Sequence, residues 1–286
     1  MQQKIQKVLT LLDALPYIKQ FSKQTIVIKY GGSAQLNPDL KEKFAKDIVL
    51  LYLIGIKPVI VHGGGKKINS LLDKLEIESE FVDGMRVTNE DVMEVVEMVL
   101  SGNISNEITT LLNHHGAKAI GITGKDANFI RARSKADGRY GLVGEITKID
   151  KKVIKNLIRE KFIPVIAPIA AGDDSEHLGY NINADLAASK IAVAIKAKKV
   201  LFLTDTPGVL GKDGKLISQL SYQDVENFKA DGTISGGMIP KVDACLESLK
   251  GGVQRAHIID GRVEHSLLLE LLTSEGIGTV IDKERE

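Results

Sequence analysis

Apolar positions along the chain follow two alternating patterns. Short, almost uniformly apolar runs occur at 25–30, 58–62, 118–123, 163–167, 200–204 and 256–260, and each reads as a strand buried on both faces. Between them, the stretches 39–55, 90–101, 103–115, 150–161, 184–197 and 239–251 repeat apolar residues at helical spacing. Such strands alternating with helices predict the α/β class: an open αβα sandwich with a mainly parallel central sheet. Asp137-Gly138 and Asp213-Gly214 each lie between short strand-like runs, which predicts hairpin turns and some antiparallel pairing at the margins. Ahead of the first strand, Ile5, Val8, Leu9, Leu12 and Leu15 keep helical spacing, and Pro16 limits that helix. The expected organisation is an N-terminal helical segment (1–22) followed by two lobes, 23–175 and 176–286, divided in the polar loop at 172–176.

Two of the apolar runs end in glycine. Ile26-Val27-Ile28-Lys29-Tyr30 leads into Gly31-Gly32, and Val59-Ile60-Val61-His62 leads into Gly63-Gly64-Gly65. Glycine at the carboxyl end of a strand lets a ligand approach main-chain N–H groups, and a following helix adds a dipole that favours anions. A phosphate or carboxylate site is the expectation.

Charge and composition narrow the partners. The 286 residues carry 38 basic and 37 acidic side chains, so no overall field would hold nucleic acid or an anionic membrane surface. No apolar stretch approaches the roughly 20 residues that span a bilayer. The first seven residues lack a signal peptide's apolar block, so a cytoplasmic location is expected. Cys245 is the only cysteine, which excludes an internal disulfide and a multi-thiolate metal site and predicts a small buried residue in a helix.

The P-loop and dinucleotide glycine patterns are absent, as are the metalloprotease and hydrolase-elbow motifs. What remains gathers at strand ends: Lys29, the glycine turns, Arg86 in the motif at 83–88, Asn181-Ile182-Asn183-Ala184-Asp185, Thr204-Asp205, and Gly236-Gly237-Met238-Ile239-Pro240-Lys241. Two lysines, an arginine, glycine turns and a lone aspartate suit phosphoryl transfer, which needs positioning and charge neutralisation more than covalent help. An ammonium directly after a buried apolar run needs an anionic partner. Blander readings stand beside these: Arg86 pairing with Asp83 or Glu90 on the surface, Asn181, Asn183 and Asp185 capping the helix at 184, and structural roles for His62, His114 and His115.

Together, the motifs Ile-Lys-Tyr-Gly-Gly, Val-His-Gly-Gly-Gly, Asp-Gly-Met-Arg-Val-Thr, Glu-Met-Val-Leu-Ser-Gly, Gly-Ile-Thr-Gly-Lys-Asp, Tyr-Asn-Ile-Asn-Ala-Asp and Gly-Gly-Met-Ile-Pro-Lys resemble the amino acid kinase superfamily and, within it, the acetylglutamate kinases. The resemblance implies ATP-dependent phosphorylation of the γ-carboxylate of N-acetyl-L-glutamate, a step of arginine biosynthesis. Magnesium would be carried by the nucleotide, with no protein metal site. It implies that Lys29 and Lys241 neutralise the phosphoryl group in flight while Asp185 holds both. Gly31 and Gly32 would contact phosphate, with Thr204 and Asp205 on the nucleotide side. Gly64 and Gly65 would offer N–H groups to the γ-carboxylate, Arg86 and Asn181 would fix the α-carboxylate, and Asn183 would line the pocket. An attacking carboxylate with an ordinary pKa near 4 is already ionised, so no catalytic histidine is required.

The N-terminal helix and the tail at 265–279 resemble the arginine-inhibited branch, which forms hexamers as trimers of dimers. That likeness implies an L-arginine pocket made by Tyr17, Lys199, His257, Glu270 and Gly276. In some relatives a PII-type signalling protein also binds. The alternatives are a related kinase acting on another acid such as acetylaminoadipate, which differs by one methylene, and a non-catalytic arginine or nucleotide sensor, which would have lost Lys29, Asp185 or Lys241.

Overall fold

The computed structural model describes residues 1–82, 84–173 and 177–283. Eight strands form one sheet in the order Gln219–Ser221, Thr279–Asp282, Arg255–Asp260, Lys199–Thr204, Thr25–Tyr30, Lys57–His62, Ile163–Ala167, Ala119–Thr123. Every pairing is parallel except that of Thr279–Asp282 with Arg255–Asp260. The apolar runs thus form the sheet that their pattern predicts, with both faces covered except at the edge strand Ala119–Thr123, where Ile120 and Gly121 are exposed because no strand lies beyond it. Ile26, Ile28 and Tyr30 face one layer with Ile48, Leu51, Val95 and Leu267. Val27, Val59 and Val61 face the other, against Ala188, Ile191, Val242 and Leu246. The fold is an open α/β sandwich with a mainly parallel central sheet.

A second sheet joins Gly179–Asn181, Ile169–Gly172, Ile130–Ser134 and Gly144–Ile149 in that order. Ile130–Ser134 and Gly144–Ile149 pair antiparallel, with a single 3-10 turn, Lys135–Gly138, in their connection, so the first Asp-Gly marks a longer turn than a two-residue hairpin. The second closes a small loop in which Leu210 and Leu216 form an antiparallel bridge. The expected lobe boundary at 175 lies outside the described residues. The strands on either side of it, Ile169–Gly172 and Gly179–Asn181, pair with each other.

Two helical details differ from the pattern's prediction. The helices expected at 90–101 and 103–115 are continuous: Glu90–Glu97 passes through a π-helical segment, Met98–Ser105, into Asn106–His114. The wider turn carries the chain past Gly102 without a break. Near the N-terminus, Gln2–Asp13 ends before Leu15–Phe21, and Pro16 stands in the first turn of that second helix, where its missing N–H costs nothing. Ile5, Val8, Leu9 and Leu12 are exposed. Cys245 is fully buried in Ile239–Lys250, and burial raises its thiol pKa well above the ordinary value.

Candidate active site

The candidate residues converge at the carboxyl ends of the central strands. Since Ile28 and Tyr30 pack on one face of the sheet, the intervening Lys29 projects to the other, where helix Ala184–Ile195 begins. Lys29 Nζ lies 2.9 Å from Asp185 Oδ1, and Lys241 Nζ lies 3.2 Å from Asp185 Oδ2. Asn183 caps this helix, its Oδ1 accepting the N–H groups of Asp185 and Leu186 at 2.9 and 3.1 Å, so the capping reading holds for Asn183 but not for Asn181 or Asp185, whose side chains turn to Thr88 and to the two lysines. Lys241 enters from the first turn of Ile239–Lys250. Burial works against the charge on Asp185, but the two ammonium groups outweigh it and hold its carboxyl below the usual range. One carboxylate between two cations leaves a surplus positive charge facing the strand ends.

The first glycine turn closes against the next strand end. Gly32 has φ +74, and a Cβ there would stand 2.5 Å from Asp205 Oδ1, so the turn requires glycine. Asp205 accepts the N–H of Ser33 at 2.7 Å and its hydroxyl at 2.8 Å, and Lys66 Nζ approaches at 3.2 Å. Partial burial opposes this charge as well, and those donors keep the carboxyl below its ordinary pKa. Thr204 ends the strand before Asp205, its carbonyl accepting the N–H of Gly261 at 2.9 Å. Gly31 passes close to the lysine, since a Cβ on it would lie 3.0 Å from Lys29 Nζ. Gln35 joins both glycine turns, donating to the carbonyls of Tyr30 and Gly63 at 3.1 Å each.

Beside the Asp185 cluster opens a cleft of about 180 Å³ lined by Gly63, Gly64, Gly65, Arg86, Asn181 and Asn183. Gly64 is the N-cap of helix Gly65–Lys74, so the dipole's positive end is at the cleft. A side chain on Gly64 would strike Ile104 and Leu100. Arg86 is buried, and none of its partners among the described residues is a carboxylate: it donates to Ser79 Oγ at 2.9 Å, to the Gly65 carbonyl at 3.3 Å and to Asn69 Oδ1, and its guanidinium lies 4.6 Å from the Phe81 ring centroid. The surface pairing with Glu90 does not form, because Arg86 points inward; Asp83 lies outside the described residues. Burial lowers the guanidinium pKa. A buried cation held by neutral oxygens keeps its charge uncompensated, which favours an anion beside it.

The profile of the Amino acid kinase family matches residues 24–260. The chain belongs to that family. It is 66% identical to an acetylglutamate kinase of a Nitratiruptor species and 65% identical to one of Sulfurimonas denitrificans, each over 98% of this chain and 99% of the relative. The chain is therefore an enzyme, a phosphotransferase of the acetylglutamate kinase group. In fold it superposes on an N-acetylglutamate synthase from Neisseria gonorrhoeae, solved with coenzyme A and N-acetyl-glutamate, with a TM-score of 0.85 at 26% identity; the match covers 98% of this chain and 64% of the synthase. A carbamate kinase from Giardia lamblia bound to AMP-PNP shares the fold at a TM-score of 0.72 and 18% identity, over 92% of this chain and all of that one.

A second group of sequence candidates in this kinase surrounds strands Lys199–Thr204 and Arg255–Asp260. Lys199 begins its strand, and its ammonium stands 4.5 Å from the Phe21 ring centroid. Burial, aided by Arg255 nearby, pushes its pKa down to about 8. His257 Nδ1 lies 2.6 Å from Glu270 Oε1, and Glu270 Oε2 accepts the N–H groups of Ile277 and Gly278 at 2.8 and 3.1 Å. Gly276 closes over the same carboxylate, where a Cβ would be 2.8 Å from Oε2. Tyr17 packs at the edge of the core that holds Phe21 and Leu267.

Sequence reasoning missed Ser33, Gln35 and Lys66. Lys66 directly follows the three glycines and could have been found on that ground; Ser33 and Gln35 carry no signal apart from the turn they follow. His62 is structural: burial pushes its pKa down to about 4 and its Nδ1 lies 3.2 Å from the Gly63 carbonyl. His115 pairs with Glu42 at 2.7 Å.

Proposed function

We propose that this kinase transfers the γ-phosphoryl group of ATP to the γ-carboxylate of N-acetyl-L-glutamate, and that L-arginine inhibits it. The observation that carries the reading is the Lys29–Asp185–Lys241 cluster beside a cleft whose buried arginine has no acidic partner among the described residues. Two ammonium groups held by one aspartate suit a phosphoryl group that spreads negative charge in transit. The residues present also fit a triphosphate with its magnesium, because Gly31 and Gly32 leave bare backbone beside Lys29, and no protein metal ligand is needed. ATP, when bound, supplies the electrophilic phosphorus.

In this reading Gly64 and Gly65 hold the γ-carboxylate through main-chain N–H groups, aimed along the helix dipole toward the cluster. Arg86 and Asn181 take the α-carboxylate at the other end of the cleft, and Asn183 lines it between them. The carboxylate attacks without losing a proton, so the protein's work is alignment and charge neutralisation. Thr204 and Asp205, with Ser33 and Lys66, border the nucleotide. The lobe 23–175 takes the acid and forms the dimer contact, and 176–286 takes the nucleotide and arginine. Segment 1–22 joins dimers into a hexamer in the cytoplasm.

Arginine, in the same proposal, enters the group formed by Tyr17, Lys199, His257, Glu270 and Gly276, its guanidinium paired with the Glu270 carboxylate. The test is ATP-dependent formation of acetylglutamyl phosphate, trapped as the hydroxamate, with and without L-arginine. Activity that arginine suppresses is expected. Activity on acetylaminoadipate in preference to N-acetylglutamate would reassign the substrate, and no transfer to either acid by the folded protein would leave the sensor reading.

A further inference from the structure

The hydroxyl of Thr88 joins the two side chains assigned above to the α-carboxylate. Thr88 is fully buried. Its Oγ1 donates to the Arg86 carbonyl at 3.0 Å, and Asn181 Nδ2 donates to Oγ1 at 3.2 Å. The polarity of this chain has one solution. A backbone carbonyl only accepts, so the single hydroxyl proton is committed to Arg86 and the Asn181 atom facing Oγ1 must be the amide nitrogen. That sets which way the Asn181 amide points in the cleft.

The backbone around Thr88 reinforces the same junction. Its N–H donates to the Tyr140 carbonyl at 3.0 Å and its carbonyl accepts from Leu142 at 2.6 Å, while the Asn181 N–H donates to the Leu142 carbonyl at 2.9 Å. Gly141, at φ +63, lies so close that a Cβ on it would strike the Thr88 carbonyl. The ribbon bearing Arg86, the loop 140–143 and the strand bearing Asn181 therefore meet on one residue.

We infer that Thr88 is a positioning residue for acid recognition: its hydroxyl orients the Asn181 amide relative to Arg86 so that both converge on one carboxylate. The inference deepens the proposed function and rests on its assignment of those two residues. It predicts an effect on binding of the acid with little on the nucleotide or on phosphoryl transfer.

The test compares Thr88→Val, which keeps the shape and removes the hydroxyl, with Thr88→Ser, which keeps the hydroxyl and removes a methyl. Steady-state kinetics on N-acetyl-L-glutamate should show KM for the acid raised roughly tenfold in Thr88→Val, as expected for about 1.4 kcal/mol of lost binding. Its kcat and its KM for ATP should stay within about twofold, and Thr88→Ser should restore the acid KM. A purely structural role predicts the reverse order, since serine leaves a cavity in a packed site and valine fills it. That order, or an unchanged acid KM in a folded and active Thr88→Val, overturns the inference alone. A wild-type protein inactive on the acid would instead overturn the function on which it rests.

Discussion

Asp185 stands between two ammonium groups that would otherwise repel one another, and both of its oxygens are used. Its substitution by asparagine keeps the volume and removes the charge that organises the pair. Breaking a buried ionic cluster by deleting one sign costs about 3 kcal/mol or more, so Asp185→Asn should lose stability in urea denaturation and fall in kcat by roughly two orders of magnitude. An equally active variant would show that the lysines do not depend on it. Lys199 gives the pH dependence. Its pKa falls from 10.5 unfolded to about 8 folded, so between those values the unfolded chain binds more protons and stability rises with pH. Below pH 8 both states are protonated and the cost of the buried ammonium is fully present. Denaturant titrations from pH 7.5 to 10.5 should show this rise in the wild type and a flatter profile in Lys199→Met.

At the level of elements, the N-terminal helix is the part whose burial is incomplete. Ile5, Val8, Leu9, Leu12 and Leu15 are exposed on a segment that otherwise reads as amphipathic, which suits the proposed role between subunits. If it joins subunits as proposed, deletion of residues 1–20 lowers the assembly from a hexamer toward dimers in light scattering, while an unchanged mass would remove the helix from the interface. The elements also differ in how far the sequence revealed them. Strands 25–30, 58–62 and 200–204 were legible because burial on both faces leaves a uniform apolar run. The short strands Gln219–Ser221 and Thr279–Asp282 gave no run to read, since their pairing is decided by the rest of the sheet. The π-helical segment around Gly102 was illegible for a related reason: a glycine suggests a break, and only packing against the strands beneath keeps the helix continuous. At the site, Lys29 stood out as a charge after a buried apolar run and Arg86 only through the motif that carries the family resemblance, whereas Ser33 and Gln35 became meaningful only when the turn brought them to Asp205 and Gly63.

Across the whole molecule, the central sheet borders both proposed sites. Lys199 and Thr204 begin and end the same strand, and His257 lies on its neighbour, paired with Leu201 in register. Lys199 pairs with Ile26, three residues before Lys29 on the adjacent strand, and Leu201, the partner of His257, pairs with Ile28. The lysine cluster is the heart of the proposed transfer, and its test is the hydroxamate assay on wild-type, Lys29→Ala and Lys241→Ala proteins side by side. Transfer from ATP to N-acetyl-L-glutamate in the wild type, reduced roughly a hundredfold or more in each folded variant, is the expected result. Near-normal kcat in both variants would contradict the account.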